Sequence, residues 1–331
     1  MKTNFTDLSI DDKLFKKISA YYQTIWRDKW RERIHEDWIG NFSDPDEELK
    51  AKEKTNMTYL LSKFMYFGNE QLRQLLISLY RDLFKYPIIE EIRRRNSNTL
   101  DEVFIDQEFQ NELDRTRFLG VGNPSESGVH MLYYFRQECE LRKKYFINSS
   151  DIFSIIKVEE KLPDGVVRSF LKSDIKNVNI KRYIFIDDFC GSGSQASMYL
   201  KDLVENIKYL DPNIEVNYLM LFGNEKGVET IRKLNIFNRV EAVFTIDESF
   251  KAFSTDSRYY KNVVSGGVIE KQFAKETAEK YGANLFNPAL GYNDSQLLLG
   301  LYHNTPDNSL PIFWSEKNNW KPIFKRYHKL Y

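Results

Sequence analysis

Short apolar segments alternate with helical patterns in the second half of the chain, and this alternation limits the possible folds more than any other feature. Apolar runs suited to buried strands cover residues 183–186, 217–222 and 242–246. The spacing of apolar residues between them predicts helices over 194–207 and 226–234. Because parallel strands need such crossover connections, we predict an α/β fold with a mainly parallel, twisted sheet and helices on both faces.

The first third of the chain has a helical pattern throughout. Apolar residues recur at three- to five-residue steps from Leu14 to Trp38, which predicts one long amphipathic helix capped by Ser9. Its tryptophans, Trp26 among them, are expected in a core or an interface. Further helices would start at a capping residue or after a glycine, at Asp44, Gly68 and Thr99. The helix after Gly68 would end before Pro87.

The change from helices to strands predicts two regions. We expect a helical accessory region over 1–115 and an α/β domain over 116–331. The accessory helices would pack against the sheet and bind a protein partner or regulate the domain, because their apolar stripes need a covering surface. Within the α/β domain, the turn residues Pro163, Asp164 and Gly165 predict a hairpin between two strands.

Charge and cysteine content exclude several classes of function. Lys and Arg number 48 and Asp and Glu number 48, so the formal net charge is +0 and any anion site must be local. Nothing in the charge balance indicates a nucleic-acid or membrane partner. The N-terminus has no apolar leader and no segment is apolar enough to span a membrane, which predicts a cytoplasmic protein. The two cysteines form no metal-binding pattern.

One strand leads into residues with strong chemical character. The apolar run at 183–186 is followed by Asp187 and Asp188, then by a loop of small residues, Cys190, Gly191, Ser192 and Gly193, and then by a helix. Gly191 and Gly193 permit a positive φ and a close approach of the backbone. A glycine-rich loop at a helix N-terminus presents N–H groups that favour a phosphate. The two carboxylates would instead face neutral hydroxyls or a divalent cation. A sugar phosphate satisfies both requirements.

A second strand and loop precede this segment by about 65 residues. Residues 118–128 contain an apolar run, a tight turn and a helix start, and Gly122, Asn123 and Ser125 are the candidate donors in that turn. An ordinary glycine turn without a ligand remains an equal alternative for this loop.

The strand, acid pair and small-residue loop resemble the signature of type I phosphoribosyltransferases. The resemblance implies that Asp187 and Asp188 contact the ribose hydroxyls of phosphoribosyl pyrophosphate or a related nucleotide. It also implies that the loop holds the 5-phosphate through Gly191, Ser192, Gly193, Ser194 and Gln195. The loop of Gly122, Asn123 and Ser125 would hold the pyrophosphate. Magnesium would be bound mainly through the phosphates, with no protein metal ligand.

A more specific likeness covers most of the chain. The segments LSKFMYF and DDFCGSGSQ and the tail LGYNDSQLLLGLYHNTPDNSLPIFWS look like a family of bacterial phosphoribosyltransferase-like proteins associated with conflict and phage-defence loci. This likeness implies an effector or regulatory enzyme in antiviral defence. Gly191 and Gln195 depart from the usual pattern, because a larger small residue and a hydroxyl are expected there.

Two other functions stay open from the sequence. A non-catalytic module of the same fold could sense a nucleotide, which the departure at Gln195 favours. The run DFCGSG also resembles the adenosylmethionine loop of DNA methyltransferases, in which a strand, an acidic residue and a glycine loop receive the cofactor. The sequence 287–290 lacks the second proline and the aromatic residue of their catalytic tetrapeptide.

Overall fold

A computed structural model describes residues 8–29, 31, 33–123, 126–161 and 167–327. The chain forms two compact units: the first contains Met1–Leu72 and Ile246–Tyr331, and the second contains Arg73–Thr245. The expected division after residue 115 falls inside the second unit, where the ring of Phe84 packs against that of Phe118 with centroids 5.0 Å apart. The accessory role of the helices before residue 115 stays a prediction.

The elements are numbered in chain order within the described residues. The α-helices are α1 (Ile10–Thr24), α2 (Ile34–Ile39), α3 (Glu47–Leu61), α4 (Asn69–Ser78), α5 (Tyr86–Arg95), α6 (Glu102–Asp114), α7 (Ser127–Glu138), α8 (Ser194–Leu210), α9 (Glu225–Arg232) and α10 (Lys271–Gly282). The strands are β1 (Met65–Phe67), β2 (Thr116–Gly120), β3 (Phe153–Lys161), β4 (Val167–Ile175), β5 (Arg182–Cys190), β6 (Glu215–Asn224), β7 (Arg239–Ile246) and β8 (Leu299–Leu301).

The prediction of one long N-terminal helix is wrong. Ser9 caps α1 by accepting from the N–H of Asp12, as expected. The helix ends at Thr24, because the N–H of Trp26 donates to Tyr21 O, five residues back, rather than continuing the α-helical pattern. A short 3-10 turn over Arg27–Lys29 follows before α2.

Two predicted caps lie elsewhere along the chain. Asp46, not Asp44, caps α3 by accepting from two N–H groups, while Asp44 accepts from the N–H of Asp46. Asp101, not Thr99, caps α6. In both cases a carboxylate closer to the helix is available, and it takes the orphan N–H groups of the first turn.

The helix that follows Gly68 does not end at Pro87. A π-helical segment, Leu79–Lys85, joins α4 to α5, and Pro87 lies in the first turn of α5. Because the helix is continuous here, a proline removes one intrahelical N–H and crowds the preceding turn, and the wider π-helical turn before Pro87 accommodates both effects. Pro87 therefore marks a change from π-helical to α-helical geometry rather than the end of the helix.

The second unit is built around a sheet with the strand order β2-β5-β6-β7. β2 pairs in parallel with β5, and β5 pairs in parallel with β6. On its other edge β2 makes an isolated parallel bridge between Phe118 and Phe146. If Phe146 is counted as a short strand, the sheet has five strands, which are β2, Phe146, β5, β6 and β7 in chain order. Numbered 1 to 5 in that way, they lie side by side in the order 2-1-3-4-5. The predicted mixed α/β fold with a mainly parallel sheet is confirmed.

The helices cover both faces of this sheet, as predicted. Phe118 of β2 faces α7, where its ring lies 5.2 Å from that of Phe135. Leu119, the next residue, joins the opposite core with Leu200 and Val204 of α8, because successive strand residues point to opposite faces. The chain therefore leaves β2 through α7 on one face of the sheet, whereas it leaves β5 through α8 on the opposite face. This reversal lies between β2 and β5, where ligands bind in open α/β sheets.

The strand that carries the acid pair, Asp187 and Asp188, is longer than predicted. β5 continues to Cys190 because it pairs with β6 as far as Cys190 and Gly223, so both acids lie inside the strand rather than after it. Pairing with β2, however, ends at Gly120 and Ile186. On the side of β6 the acid pair therefore lies within the paired part of β5. On the side of β2 it lies beyond the last paired residue.

The first unit contains an aromatic core. Trp26 and Trp38 are both buried in it, which confirms their assignment to a core. The Trp38 ring stacks on Phe313 with centroids 5.3 Å apart, and its indole N–H donates to Ile312 O. The strands β1 and β8 pair in parallel within the same unit.

The remaining strands, β3 and β4, form an antiparallel hairpin within the second unit. Their register runs from Phe153 opposite Ile175 to Lys161 opposite Val167, which confirms the two strands. The predicted turn at 163–165 lies outside the described residues. Within the described parts of the chain, no helix is both long and apolar enough to cross a membrane.

Candidate functional site

Asp187 is a buried carboxylate at the face of the sheet that packs against α8. Its side chain lies among core residues and the residue is 8% exposed. Oδ2 accepts a 2.8 Å hydrogen bond from the hydroxyl of Tyr218 on β6, and Oδ1 accepts a 2.9 Å bond from the N–H of Asp188. Burial, and then the charge of Asp188, raise the pKa of Asp187 well above its ordinary value.

Asp188 points to the other side of the strand. Its Oδ1 accepts a 2.8 Å hydrogen bond from the hydroxyl of Ser127, the first residue of α7. Because α7 follows the loop after β2, this bond joins the end of β5 to that loop. A carboxylate beside the first turn of a helix is stabilised by the positive end of the helix dipole.

The loop between β5 and α8 packs closely on α9. Gly193 has φ of 82°, so it takes the left-handed conformation that the sequence predicted for this loop. Gly191 does not have a positive φ, and its contact with a phosphate stays a prediction. Its carbonyl instead lies 2.1 Å from the position that a Cβ at Gly227 would occupy. Gly227 therefore allows the loop to sit against the start of α9.

Two hydroxyls of this loop contact each other. Ser192 Oγ donates to Ser194 Oγ at 2.9 Å, and the N–H of Ser194 donates to Ser192 Oγ at 3.3 Å. Ser194 is also the first residue of α8 and is exposed. Exposed hydroxyls and the N–H groups of a first helical turn are the donors that a phosphate needs.

Gln195 and Glu126 join the two loops a second time. The side-chain amide of Gln195 donates to Glu126 Oε2 at 3.4 Å, and Glu126 is buried. Gly122 has φ of 97°, and a Cβ there would lie 2.7 Å from the side chain of Glu126. The carbonyl of Asn123 accepts from the N–H of Glu126. Ser125, the other predicted donor, lies outside the described residues.

Residues 121–123, 126–128 and 187–195 thus lie together at the carboxyl ends of β2 and β5, and this cluster is called the crevice. The N-termini of α7 and α8 both border it, which favours an anion. Asp188 and Glu126 face the same region and favour neutral hydroxyls or a cation. The sequence-predicted residues that the structure brings together here are Asp188, Gly191, Ser192, Gly193, Ser194, Gln195, Gly122 and Asn123, with Asp187 buried beneath them.

Sequence reasoning missed two residues of the crevice, Glu126 and Ser127, and two that support it from β6 and α9, Tyr218 and Gly227. Ser127 was predicted only as a helix start, and Glu126, Tyr218 and Gly227 carried no signal of their own. Their roles come from contacts between residues 31 to 69 positions apart in the chain, such as the Tyr218 bond to Asp187 and the Gln195 bond to Glu126. A single sequence has no pattern that records such pairs.

Cys190 and metal ligation add little to the chemistry of the crevice. Burial raises the pKa of the Cys190 thiol to about 12, as expected for a small buried side chain rather than a nucleophile. Among the described residues, no group of three or more His, Cys, Asp or Glu side chains is arranged to hold a metal ion.

Comparison with protein families identifies the relatives of this chain. The model of the PRTase-CE family matches residues 35–326, which is most of the sequence. The chain belongs to the PRTase-CE family. PRTase abbreviates phosphoribosyltransferase, so the predicted resemblance to phosphoribosyltransferases is confirmed, and the methyltransferase alternative loses its support. The association of this PRTase-CE chain with phage defence stays a prediction.

Comparison with curated proteins gave no match. Among solved structures, a hypothetical protein from Neisseria gonorrhoeae with bound ppGpp has 10% identity and a TM-score of 0.26, covering 56% of this chain and 85% of that one. The AQ2163 protein from Aquifex aeolicus has 10% identity, a TM-score of 0.29 and coverages of 66% and 86%. The Helicobacter pylori xanthine-guanine-hypoxanthine phosphoribosyltransferase has 10% identity, a TM-score of 0.26 and coverages of 55% and 90%. The assignment to the PRTase-CE family rests on the family match.

Proposed function

We propose that this chain binds phosphoribosyl pyrophosphate with magnesium in the crevice and transfers the phosphoribosyl group to an acceptor. The observation that carries the proposal is the hydrogen bond from Ser127 to Asp188. It joins the acid-bearing strand to the loop after β2 and so makes one site from two. Membership of the PRTase-CE family supports the same reaction class.

Asp188 would bind the ribose. Its carboxylate already accepts from the hydroxyl of Ser127, and ribose hydroxyls are donors of the same kind. Asp187 was predicted to make a similar contact. To do so its carboxylate would have to leave Tyr218, so in this proposal Asp187 is a positioning residue that holds the end of β5.

The phosphates would bind at the two helix N-termini. The 5-phosphate would lie against residues 191–195 and accept from Ser192, Ser194 and the first N–H groups of α8. The pyrophosphate would lie against the loop of Gly122 and Asn123 at the start of α7. Gly122 keeps that loop free of a side chain, which would otherwise contact Glu126.

In the transfer, the bond between the anomeric carbon and the pyrophosphate oxygen breaks, and its electron pair leaves with pyrophosphate. A bond from the nucleophilic atom of the acceptor to the same carbon forms, and the acceptor loses its proton to a base. Positive charge develops on the sugar ring as the pyrophosphate leaves. The carboxylates of Asp188 and Glu126 would stabilise that charge, since they are fixed in place by Ser127 and Gln195.

The residues of the crevice fit a magnesium ion that is held mostly by phosphate. Magnesium prefers oxygen ligands and commonly uses only one or two carboxylates in addition to phosphates and waters. Asp188 and Glu126 are the carboxylates that would face it. When bound, the ion would neutralise the charge of the pyrophosphate as it leaves.

Calorimetric titration with phosphoribosyl pyrophosphate tests binding, and release of pyrophosphate tests turnover. We expect binding in the presence of magnesium and a marked loss of binding when EDTA is added. The variant S192A should bind about ten-fold more weakly, because it loses a hydrogen bond to a charged phosphate. The absence of binding by the wild-type chain at millimolar ligand would overturn the proposal.

The position of Gln195 favours a second candidate, a nucleotide sensor without turnover. Its amide is bonded to Glu126, and it occupies the position at which the phosphoribosyltransferase pattern implies a hydroxyl. Binding without pyrophosphate release, tested with nucleobases and other common acceptors, would support the sensor. Release that depends on an acceptor would support the transferase.

A role as effector or regulator in anti-phage defence, with a protein partner bound through the helices before residue 115, also stays a proposal. It is supported only by the resemblance described from the sequence. Plaque counts on bacteria that carry the gene or its D188N variant test it. Equal counts with and without the gene, across a panel of phages, would remove the defence role.

A further inference from the structure

The hairpin of β3 and β4 presents an unusual edge. Seven consecutive residues of β4, from Val167 to Ser173, are exposed, so both faces of the strand are open along most of its length. Phe170 and Leu171 are 46% and 72% exposed. Within the described residues, β4 has a strand neighbour only on the side of β3. Its other edge is long and contains no proline, and such an edge can pair with another strand whose charges complement its own.

The sequence of β4 is self-complementary about its centre. The strand reads Val-Arg-Ser-Phe-Leu-Lys-Ser-Asp-Ile, with Leu171 in the middle. When two such strands lie antiparallel with Leu171 opposite its own copy, Arg168 lies opposite Asp174 of the second copy. Ser169 lies opposite Ser173, and Phe170 lies opposite Lys172. Every charged position therefore meets an opposite charge or an aromatic ring.

We propose that β4 pairs antiparallel with β4 of a second copy of this chain. The pairing joins the two hairpins into one four-stranded sheet across a two-fold axis at Leu171. Each Arg168 meets the Asp174 of the other copy, so two ion pairs flank the Leu171 contact. The added backbone hydrogen bonds satisfy the open edge, and a sheet of four strands is more stable than an isolated hairpin.

The edge of β3 is less suited to the same pairing. Antiparallel pairing centred on Lys157 would place two lysines opposite each other, which is destabilising. Pairing centred on Val158 would place Lys157 opposite Glu159 of the second copy, but it would also place the apolar Ile156 opposite the charged Glu160. Lys157 and Glu159 already form an ion pair of 2.9 Å within β3. In the β4 register Val167 lies opposite Ile175 and Leu171 opposite its own copy, so no aliphatic residue faces a charge, and β4 is the better contacting strand.

Sedimentation of the full chain tests the pairing. We expect a reversible change from the monomer mass of 39.4 kDa to twice that mass as concentration rises. The variants R168D and D174R each place like charges opposite one another in the homodimer, and each should dimerise roughly ten-fold more weakly. A mixture of the two should recover dimers, since opposite charges then face each other in the heterodimer.

The recovery in the mixture is the decisive control. Arg168 also lies opposite Glu160 within its own hairpin, so R168D alone could act by loosening the hairpin. Only contact between chains allows one variant to rescue the other. A wild-type chain that stays monomeric, or a mixture that stays as weak as either variant, would overturn the proposal.

A cross-link gives an independent readout of the register. The variant L171C places two thiols opposite each other at the axis, and mild oxidation should give a covalent dimer. The matched variant I155C lies on β3 with 74% exposure and should not, because it has no copy of itself opposite. Native Cys139 and Cys190 should not interfere, because burial raises the pKa of each thiol to about 12. Equal cross-linking of I155C and L171C would contradict the register.

Discussion

Each of the two units contains a buried carboxylate bound by a tyrosine, and the two carboxylates differ in their charged neighbour. In the first unit Glu53 is 3% exposed, accepts from the hydroxyl of Tyr281 at 2.7 Å and pairs with the ammonium of Lys280 at 2.7 Å. In the second unit Asp187 is 8% exposed and accepts from Tyr218, but its charged neighbour is Asp188.

This difference makes the acid pair, rather than Glu53, the candidate for a functional group. Burial lowers the pKa of Lys280, but its bonds to Asp44 and Glu53 hold that pKa above the ordinary value, so a charged ammonium lies beside the buried Glu53. Two adjacent acids at the end of a strand have no such balance and cost stability. A chain keeps an unfavourable pair of this kind where a ligand uses it, and buried acids with strongly shifted pKa values are therefore candidates for function.

The largest loss of stability is expected from G227A, which tests the geometry of the crevice. A Cβ at Gly227 would lie 2.1 Å from the carbonyl oxygen of Gly191, and neither backbone can move without shifting the loop. We expect a loss of about 3 kcal/mol in the free energy of unfolding. Urea unfolding measures it. The control G267A, at an exposed glycine whose Cβ would have its nearest neighbour at 3.3 Å, should change stability much less.

The next largest effect is expected from K280M in the first unit. The variant leaves the buried carboxylate of Glu53 without its cation, which should cost about 2 kcal/mol because Lys280 is half exposed. The double variant E53Q/K280M should recover part of the loss in urea unfolding. K275M, which breaks only the surface pair with Glu279, is the control. If K280M were as stable as K275M, the charge balance assigned to the first unit would be incorrect.

The smallest effect is expected from D187N and depends on pH. Because burial and the charge of Asp188 raise the pKa of Asp187 in the folded state, the folded chain holds a proton that the unfolded chain has already lost. Stability due to this group therefore falls as pH rises from the ordinary Asp range through the raised value. In thermal unfolding, the stability of D187N should fall less than that of the wild type as pH rises over this range. A steeper loss in the variant would mean that Asp187 is stabilised as the anion.

The sheet and the small-residue loop after β5 were predictable because local patterns specify them. The apolar runs at β5 and β6 and the glycines after Cys190 gave the strands and the left-handed turn at Gly193. The break after Thr24 and the π-helical segment before Pro87 were not predictable, because the apolar spacing continues through both. The different roles of Asp187 and Asp188 also had no local signal. They depend on Tyr218 and Ser127, which reach the strand from distant parts of the chain.

The central claim is that Asp188, rather than any other acid of this region, binds the sugar of phosphoribosyl pyrophosphate. Titration of the wild type, D188N and the control D202N, an exposed acid of α8, with this ligand and magnesium tests it most directly. We predict that D188N binds about ten- to 150-fold more weakly, since a hydrogen bond to an ionised group is worth about 1.5–3 kcal/mol. D202N should bind as the wild type does. Equal affinity of D188N and the wild type would contradict the account.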